Sequence, residues 1–180
     1  SLAHAACIDI ETTGGGLNDQ IIELAVVLLR YEPDAGRVIG VVERYAATQD
    51  SSVRIRREAA AVHGIEKERI AGTEIDWAVV QRLVNRANLL IAHGASFEER
   101  YLRGVSRLDL RGKLWLCSCQ GIAWAKRHGC KSASLESLAA RHGIQYAAHT
   151  ALGDADAVVR LLAQRSPNTG RTYLRELLGV

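Results

Sequence analysis

The chain is poor in the features that mark a specialised environment. No run of about 18 apolar residues occurs, so no transmembrane helix is expected. Cysteine is scarce. Cys7, Cys117, Cys119 and Cys130 are too few and too scattered for a disulfide framework, and they read as free thiols of a reducing compartment. Neither sign of charge dominates: 23 basic against 20 acidic residues leave +3, which admits a polyanionic partner without demanding one. The two prolines, Pro33 and Pro167, both fall in turn clusters, and Phe97 is the sole phenylalanine. There is no internal repeat, low-complexity tract or linker, so residues 1–180 are expected to form one domain. The first apparent strand begins within a few residues of Ser1, leaving no room for a signal peptide, and the expected location is cytoplasmic.

What is present is an ordinary globular composition, 48% hydrophobic and 24% charged, patterned as alternating strands and helices. Ala5–Ile10, Ile21–Leu29 and Arg37–Ala46 read as an antiparallel meander, with Gly14-Gly15-Gly16 breaking the chain after the first strand and Tyr31–Gly36 turning it after the second. Arg54–Val62 reads as a helix stopped by Gly64, and helical spacing resumes at Trp77, Val80, Leu83 and Val84. Leu89-Leu90-Ile91-Ala92 is short and wholly apolar, the mark of a buried central strand. A helix is expected from Phe97, a last strand at Leu114–Leu116, and helices at Ile122–Arg127, Leu135–Arg141, Ala151–Ala163 and Thr172–Leu178. The class is α/β, a mixed sheet of about five strands flanked by helices.

The chemistry starts at Asp9-Ile10-Glu11-Thr12-Thr13-Gly14. Strand side chains alternate, so Asp9 and Glu11 share a face. Two carboxylates so placed repel unless a cation lies between them, and oxygen ligands suit Mg²⁺ or Mn²⁺. Sites in open α/β sheets form at the carboxyl ends of strands. The segment His93–Glu99 follows the Leu89–Ala92 strand and could line the same cleft. There Ser96 and Glu99 have capping-box spacing, which leaves Glu98 free to face the cleft. A third segment, His149–Asp156, ends in a helix. Five residues turn through about 500°, so His149 and Asp154 can serve one site only if His149 precedes the helix and Asp154 lies in its first turns.

Together these segments resemble the DEDDh 3′→5′ exonucleases, the superfamily of the polymerase proofreading subunit, ribonuclease T and oligoribonuclease. Asp9–Gly14 matches the first motif, Ile21–Val27 the strand after it, Ala92–Glu98 the second motif, and His149 with Asp154 the third. Glu58 and Val62-His63-Gly64-Ile65 are similar to the nucleotide-contacting segment of the proofreading branch, and Ser134–Ala139 to a helix common in these proteins. The likeness runs nearly end to end, in family order.

The resemblance implies a ribonuclease-H-like fold and two-metal hydrolysis at the 3′ end of a single-stranded nucleic acid, releasing 5′-mononucleotides. Asp9, Glu11 and Asp154 would hold two Mg²⁺ or Mn²⁺ ions with Glu98 assisting, and His149 would be the general base. Glu11 and the Thr12-Thr13 backbone, with Glu58 and His63, would contact the terminal nucleotide. Two positions depart from the family pattern: Glu98 stands where Asp is usual, and Gly94 where Asn is usual. Both bear on efficiency and on preference for Mn²⁺.

Several features keep two readings. His63 suits a helix C-terminus as well as a nucleotide. Arg54, Arg56 and Arg57 suit a solvated helix face or a phosphate. Phe97 suits a base stack or the core. Cys117, Cys119 and Cys130 with His128 lack zinc-ligand spacing, and Gly14–Gly16 lacks the Lys-Ser/Thr ending of a P-loop. A nucleic-acid-binding or polymerase-accessory module of the same fold is the alternative function, and a phosphodiesterase acting on dinucleotides a third. The Glu-Thr-Thr-Gly form inclines the reading to DNA. The apolar stripe Tyr173, Leu174, Leu177 and Leu178 is expected to pack on its own domain, and a homodimer stays open.

Overall fold

Every residue from Ile21 to Leu29 is buried, which requires a strand covered on both faces. The computed structural model describes residues 1–180 and supplies both covers. Strands β1 (Ala3–Thr12), β2 (Ile21–Glu32), β3 (Arg37–Thr48), β4 (Leu89–Ala92) and β5 (Leu114–Cys117) form one sheet in the order β3-β2-β1-β4-β5. The β1–β2 and β2–β3 pairs are antiparallel, whereas β4 runs parallel to β1 and β5 parallel to β4. The carboxyl ends of β1, β4 and β5 therefore meet along one edge, and this is the expected mixed α/β sheet.

The helices are α1 (Arg57–His63), α2 (Lys67–Ile70), α3 (Trp77–Arg86), α4 (Ala95–Arg103), α5 (Trp124–His128), α6 (Leu135–Arg141), α7 (Ala151–Ala163) and α8 (Tyr173–Leu178). None is long and apolar enough to cross a membrane. Alternation along β1 divides them into two layers. Ala5 and Cys7 belong to a core shared with α7 and α8, while Ala6, Ile8 and Ile10 belong to a second core with α3 and Leu102 of α4. Asp9 and Glu11 continue the Ala5–Cys7 row, so they face α7. On β2, Glu23 continues the row of Ala25 and Val27 in the same way.

Some boundaries differ from expectation. The first helix begins at Arg57, because the Arg56 N–H is drawn to the Thr13 carbonyl (2.8 Å) and the segment before it is extended. It stops at Gly64, whose φ of +65° is the left-handed conformation glycine adopts without strain. Helix α4 starts at Ala95 and α5 at Trp124. The four-residue α2 is too short to leave a periodic signal in the sequence. The capping box at Ser96 is not formed: Gly94 occupies the N-cap position without a side-chain bond, and Glu99 instead pairs with Arg103 one turn on (2.6 Å).

The C-terminal helix is tied down by a buried polar network as well as by its stripe. His128 Nε2 donates to Glu176 Oε2 (2.7 Å), and His128 Nδ1 shares a 2.8 Å hydrogen bond with the Ser166 hydroxyl. The Ala123 N–H donates to Glu176 Oε1 (2.9 Å). Burial pushes the Glu176 carboxyl up, but the Ala123 N–H, His128 and Arg127 together hold it below its ordinary value. Tyr173 packs on Trp124 with ring centroids 4.6 Å apart. Glu176→Ala strands two donors, one on buried His128 and one on the half-buried Ala123 backbone, so it should destabilise the fold by about 2–3 kcal/mol and lower Tm by roughly 5–10 °C. Thermal melting measures this, and an unchanged Tm would show that the network is not structural.

Candidate active site

Asp9 and Glu11 end β1, Glu98 lies in the first turn of α4 just beyond β4, and Asp154 lies in the first turn of α7. Side-chain oxygens of Asp9, Glu11 and Asp154 all fall within 4.8 Å of one another. Glu98 is outside that trio but close enough to raise the pKa of both Asp9 and Glu11. Burial comes first among the causes of every shift here. With the charge of Asp154, Glu23 and Glu98 added, it pushes Glu11 up to about 8. Burial and Asp154 push Glu98 up to about 7. Asp9 stands well above the carboxylate range, and Asp154 is raised despite the His149 N–H that opposes its shift. Glu98 is only 6% exposed, yet its Oε2 has no hydrogen-bond partner, and neither has the buried Oδ2 of Asp9.

Orphaned, crowded and oxygen-only, this donor set fits a hard divalent cation. Ligands on opposite sides of one Mg²⁺ stand about 4.2 Å apart, so the observed spread needs little contraction. Asp9, Glu11 and Asp154 are the residues that would hold ions there, with Glu98 beside them.

His149 precedes α7, as the spacing argument required. Its φ of +63° makes it the only non-glycine residue with positive φ, a conformation that the surrounding contacts must stabilise. They are visible. The His149 N–H donates to Asp154 Oδ1 (3.1 Å), and Thr150 caps α7 through the Gly153 N–H (3.1 Å). Gly153 itself is demanded by close approach, since a Cβ there would lie 2.0 Å from the Ala147 carbonyl oxygen. The imidazole is 47% exposed, with Nε2 3.8 Å from Glu136 Oε2.

The residues expected to contact a nucleotide have fixed local duties. The Thr12 hydroxyl donates to the Gly14 carbonyl (2.6 Å) and the Thr13 hydroxyl to Asp19 (2.9 Å). The Thr13 N–H and carbonyl are engaged by Gln20 and Arg56. His63 Nδ1 accepts from the Ile65 N–H (3.0 Å), so Nε2 carries the proton and donates to the Thr12 carbonyl (3.0 Å). Burial holds the pKa of this ring below the ordinary 6.5. His63 thus pins α1, a helix without a single buried residue, over the end of β1. Its ring faces are what it can offer a ligand. Glu58 is exposed on α1.

Phe97 packs on Tyr101 (4.9 Å between centroids) beneath the Arg100 guanidinium and against the second core. Arg56 is paired with Asp19 (3.0 Å). His93 is structural, with Nε2 donating to the Ala133 carbonyl (2.7 Å) and Nδ1 accepting from the Ser118 hydroxyl (2.8 Å). The four cysteines are free, and both nitrogens of His128 are used within the network above.

Two residues at the site carried no role in the sequence reading. Tyr146 lies close enough to Asp154, Glu136 and Asp9 that burial and these charges push its phenol up to about 12. Glu23 is 8% exposed and raises the pKa of Asp9, Glu11 and Asp154. A lone carboxylate inside an apolar strand was the signal for it, since a buried charge demands a partner.

A mixed sheet in this strand order, with carboxylates converging at its carboxyl edge, defines a ribonuclease-H-like hydrolase fold of the DEDDh type. The exonuclease family model of the RNase T type matches residues 6–162, and the chain belongs to that family of 3′→5′ exonucleases. No curated protein sequence matches it. Among solved structures, exonuclease X in complex with 5′ overhanging duplex DNA is 21% identical, with TM-score 0.63, over 92% of this chain and 97% of that one. Exonuclease I from Methylocaldum szegediense is 20% identical, with TM-score 0.68, over 96% of this chain but only 42% of its own. The nuclease domain of 3′hExo, a DEDDh family member bound to rAMP, is 15% identical, with TM-score 0.65, over 88% of each chain.

Proposed function

We propose that this chain removes nucleotides one at a time from the 3′ end of single-stranded nucleic acid, DNA ahead of RNA, releasing 5′-mononucleotides. The observation that carries the reading is the convergence of Asp9, Glu11 and Asp154 within 4.8 Å, with orphaned oxygens on Asp9 and Glu98. Two Mg²⁺ or Mn²⁺ ions, when bound, supply charge stabilisation for the attacking and leaving oxygens of the scissile phosphate. The carboxylates fix where the phosphate sits. His149 takes the proton of the attacking water, a role that suits an imidazole held half-exposed at the rim. Its backbone bond to Asp154 couples the position of the base to that of the carboxylate. Glu58 and the ring of His63 line the approach of the terminal nucleotide. A module that only binds nucleic acid would have no use for so crowded a set of acids.

The test is degradation of 5′-labelled single-stranded DNA and RNA with Mg²⁺, Mn²⁺ or EDTA. A metal-dependent ladder that shortens from the 3′ end is expected, and His149→Ala should slow it by about 10²–10⁴-fold. Intact oligonucleotides under every condition, with folded protein, would sink the proposal.

A further inference from the structure

Glu23 lies directly across the β1–β2 ladder from Glu11. Its Oε1 accepts the N–H of Ala151, the first residue of α7, at 2.6 Å. Its Oε2 lies 3.9 Å from the Arg69 guanidinium of α2. One buried side chain thus touches three pieces of the site that arrive from distant parts of the sequence: the strand bearing Asp9 and Glu11, the helix bearing Asp154, and the α1–α2 segment that His63 pins to Thr12.

A carboxylate placed among Asp9, Glu11 and Asp154 would seem a natural fourth ligand. Its hydrogen bonding argues otherwise. Its Oε1 is committed to the helix and its Oε2 lies 3.9 Å from a guanidinium, whereas Oδ2 of Asp9 and Oε2 of Glu98 are buried without a partner. Carboxylates near a helix N-terminus also gain from the helix dipole, which strengthens the tie to α7. Ala151 is wholly buried, so its N–H has no access to water to replace that partner.

We infer that Glu23 is a positioning residue: it clamps the N-terminus of α7 to the sheet and so sets the distance from Asp154 and His149 to Asp9 and Glu11. The inference rests on the proposed metal-dependent reading of that site. Outer partners of metal ligands act this way in general, and their loss weakens metal affinity or activity by about 10–100-fold.

Three variants separate positioning from charge and from bulk stability. Glu23→Gln keeps an oxygen acceptor for the Ala151 N–H and removes the charge. Glu23→Asp keeps the charge but withdraws the acceptor by one methylene. Glu23→Ala removes both. Mn²⁺ affinity is measured by calorimetry on each protein, beside kcat and KM on a single-stranded oligonucleotide and circular dichroism for folding. Glu23→Ala and Glu23→Asp should bind Mn²⁺ about 10-fold more weakly and lose about 10–100-fold in kcat with KM little changed. Glu23→Gln should stay within about threefold of wild type in both.

If Glu23→Gln falls with the others, the charge matters rather than the clamp, and the inference is overturned. It is equally overturned if folded Glu23→Asp keeps wild-type Mn²⁺ affinity and turnover. Should Glu23→Ala not fold, the Asp and Gln pair decides alone. A wild type that binds no Mn²⁺ and cuts nothing would instead overturn the functional proposal beneath it.

Discussion

Asp9→Asn should reduce turnover by on the order of 10⁴-fold, the scale on which members of a jointly acting catalytic set fail, and should at the same time stabilise the metal-free protein. Both effects have one cause. Asp9 stands well above the carboxylate range, raised by burial first and then by Asp154, Glu98, Glu11 and Glu23. Its Oδ2 is buried without a partner. With divalent ions bound, that carboxylate has the counter-charge its surroundings lack. Without them burial and like charges oppose its ionised form, so it keeps a proton that the unfolded chain releases, which costs stability at neutral pH. Asparagine has nearly the same shape and removes the repulsion, but it is a far poorer ligand for a hard cation.

Removing a functional carboxylate of this kind commonly stabilises a protein by about 0.5–2 kcal/mol, which amounts to a few degrees in Tm. The check is a 3′-end ladder assay with Mg²⁺ and with Mn²⁺, beside thermal melting in EDTA. Retained turnover would remove Asp9 from the machinery. Lost turnover with a lower melting temperature in EDTA would mean that Asp9 supports the fold instead.

The sequence made the sheet legible because burial on two faces writes an unbroken apolar run. Ile21–Leu29 and Leu89–Ala92 are such runs, and both are strands. The acids were legible for the complementary reason: Asp9 and Glu11 interrupt an apolar strand on one face only. If His149 and Asp154 serve one site, their spacing requires a loop residue ahead of a helix, and the structure has that arrangement. What was lost is local competition. Ser96 and Glu99 have capping-box spacing, but Arg103 one turn away is a better partner for Glu99. The helix starts two residues early, at Ala95, with glycine at its N-cap. His63 could be assigned to a helix end but not to a tautomer, because its partners, Thr12 and Ile65, depend on where α1 lands. Glu23 was in plain view inside a matched strand. Its role depends on a helix 128 positions later, and no local pattern carries that pairing.

Metal-free protein should lose stability as pH rises from about 6.5 to about 8, and Mn²⁺ should reverse the trend. Glu11 is pushed from an ordinary 4.5 up to about 8 and Glu98 to about 7, with Asp9 and Asp154 raised beside them. Between the ordinary value and the raised one, the native state keeps protons that the unfolded chain has released. Raising the pH therefore favours unfolding. The stabilisation is complete below about 4.5 and is gone once pH passes the folded values.

Other groups do not blur the upper part of this window. His63 and His93 are lowered by burial from 6.5, so their contribution rises with pH and is complete only about one unit above that value. Asp50 and Asp109, held near 2 by their hydrogen bonds, act only in acid. Above about 7.5 the slope thus belongs to the acidic cluster.

Divalent ions compete with protons for the same oxygens, so they bind more tightly as pH rises. At 100 times its dissociation constant a ligand adds about 2.7 kcal/mol, roughly 5–10 °C in Tm for a chain of this size. Melting curves at pH 6.5, 7.2 and 8, in EDTA and in millimolar Mn²⁺, should therefore diverge, falling in one series and holding or rising in the other. Glu11→Gln should flatten the EDTA series, because Glu11 carries the raised value at the top of this window. If melting temperature in EDTA stays level or climbs across that range, the carboxylates are not crowded in solution, and the argument for cations at the end of β1 loses its electrostatic basis.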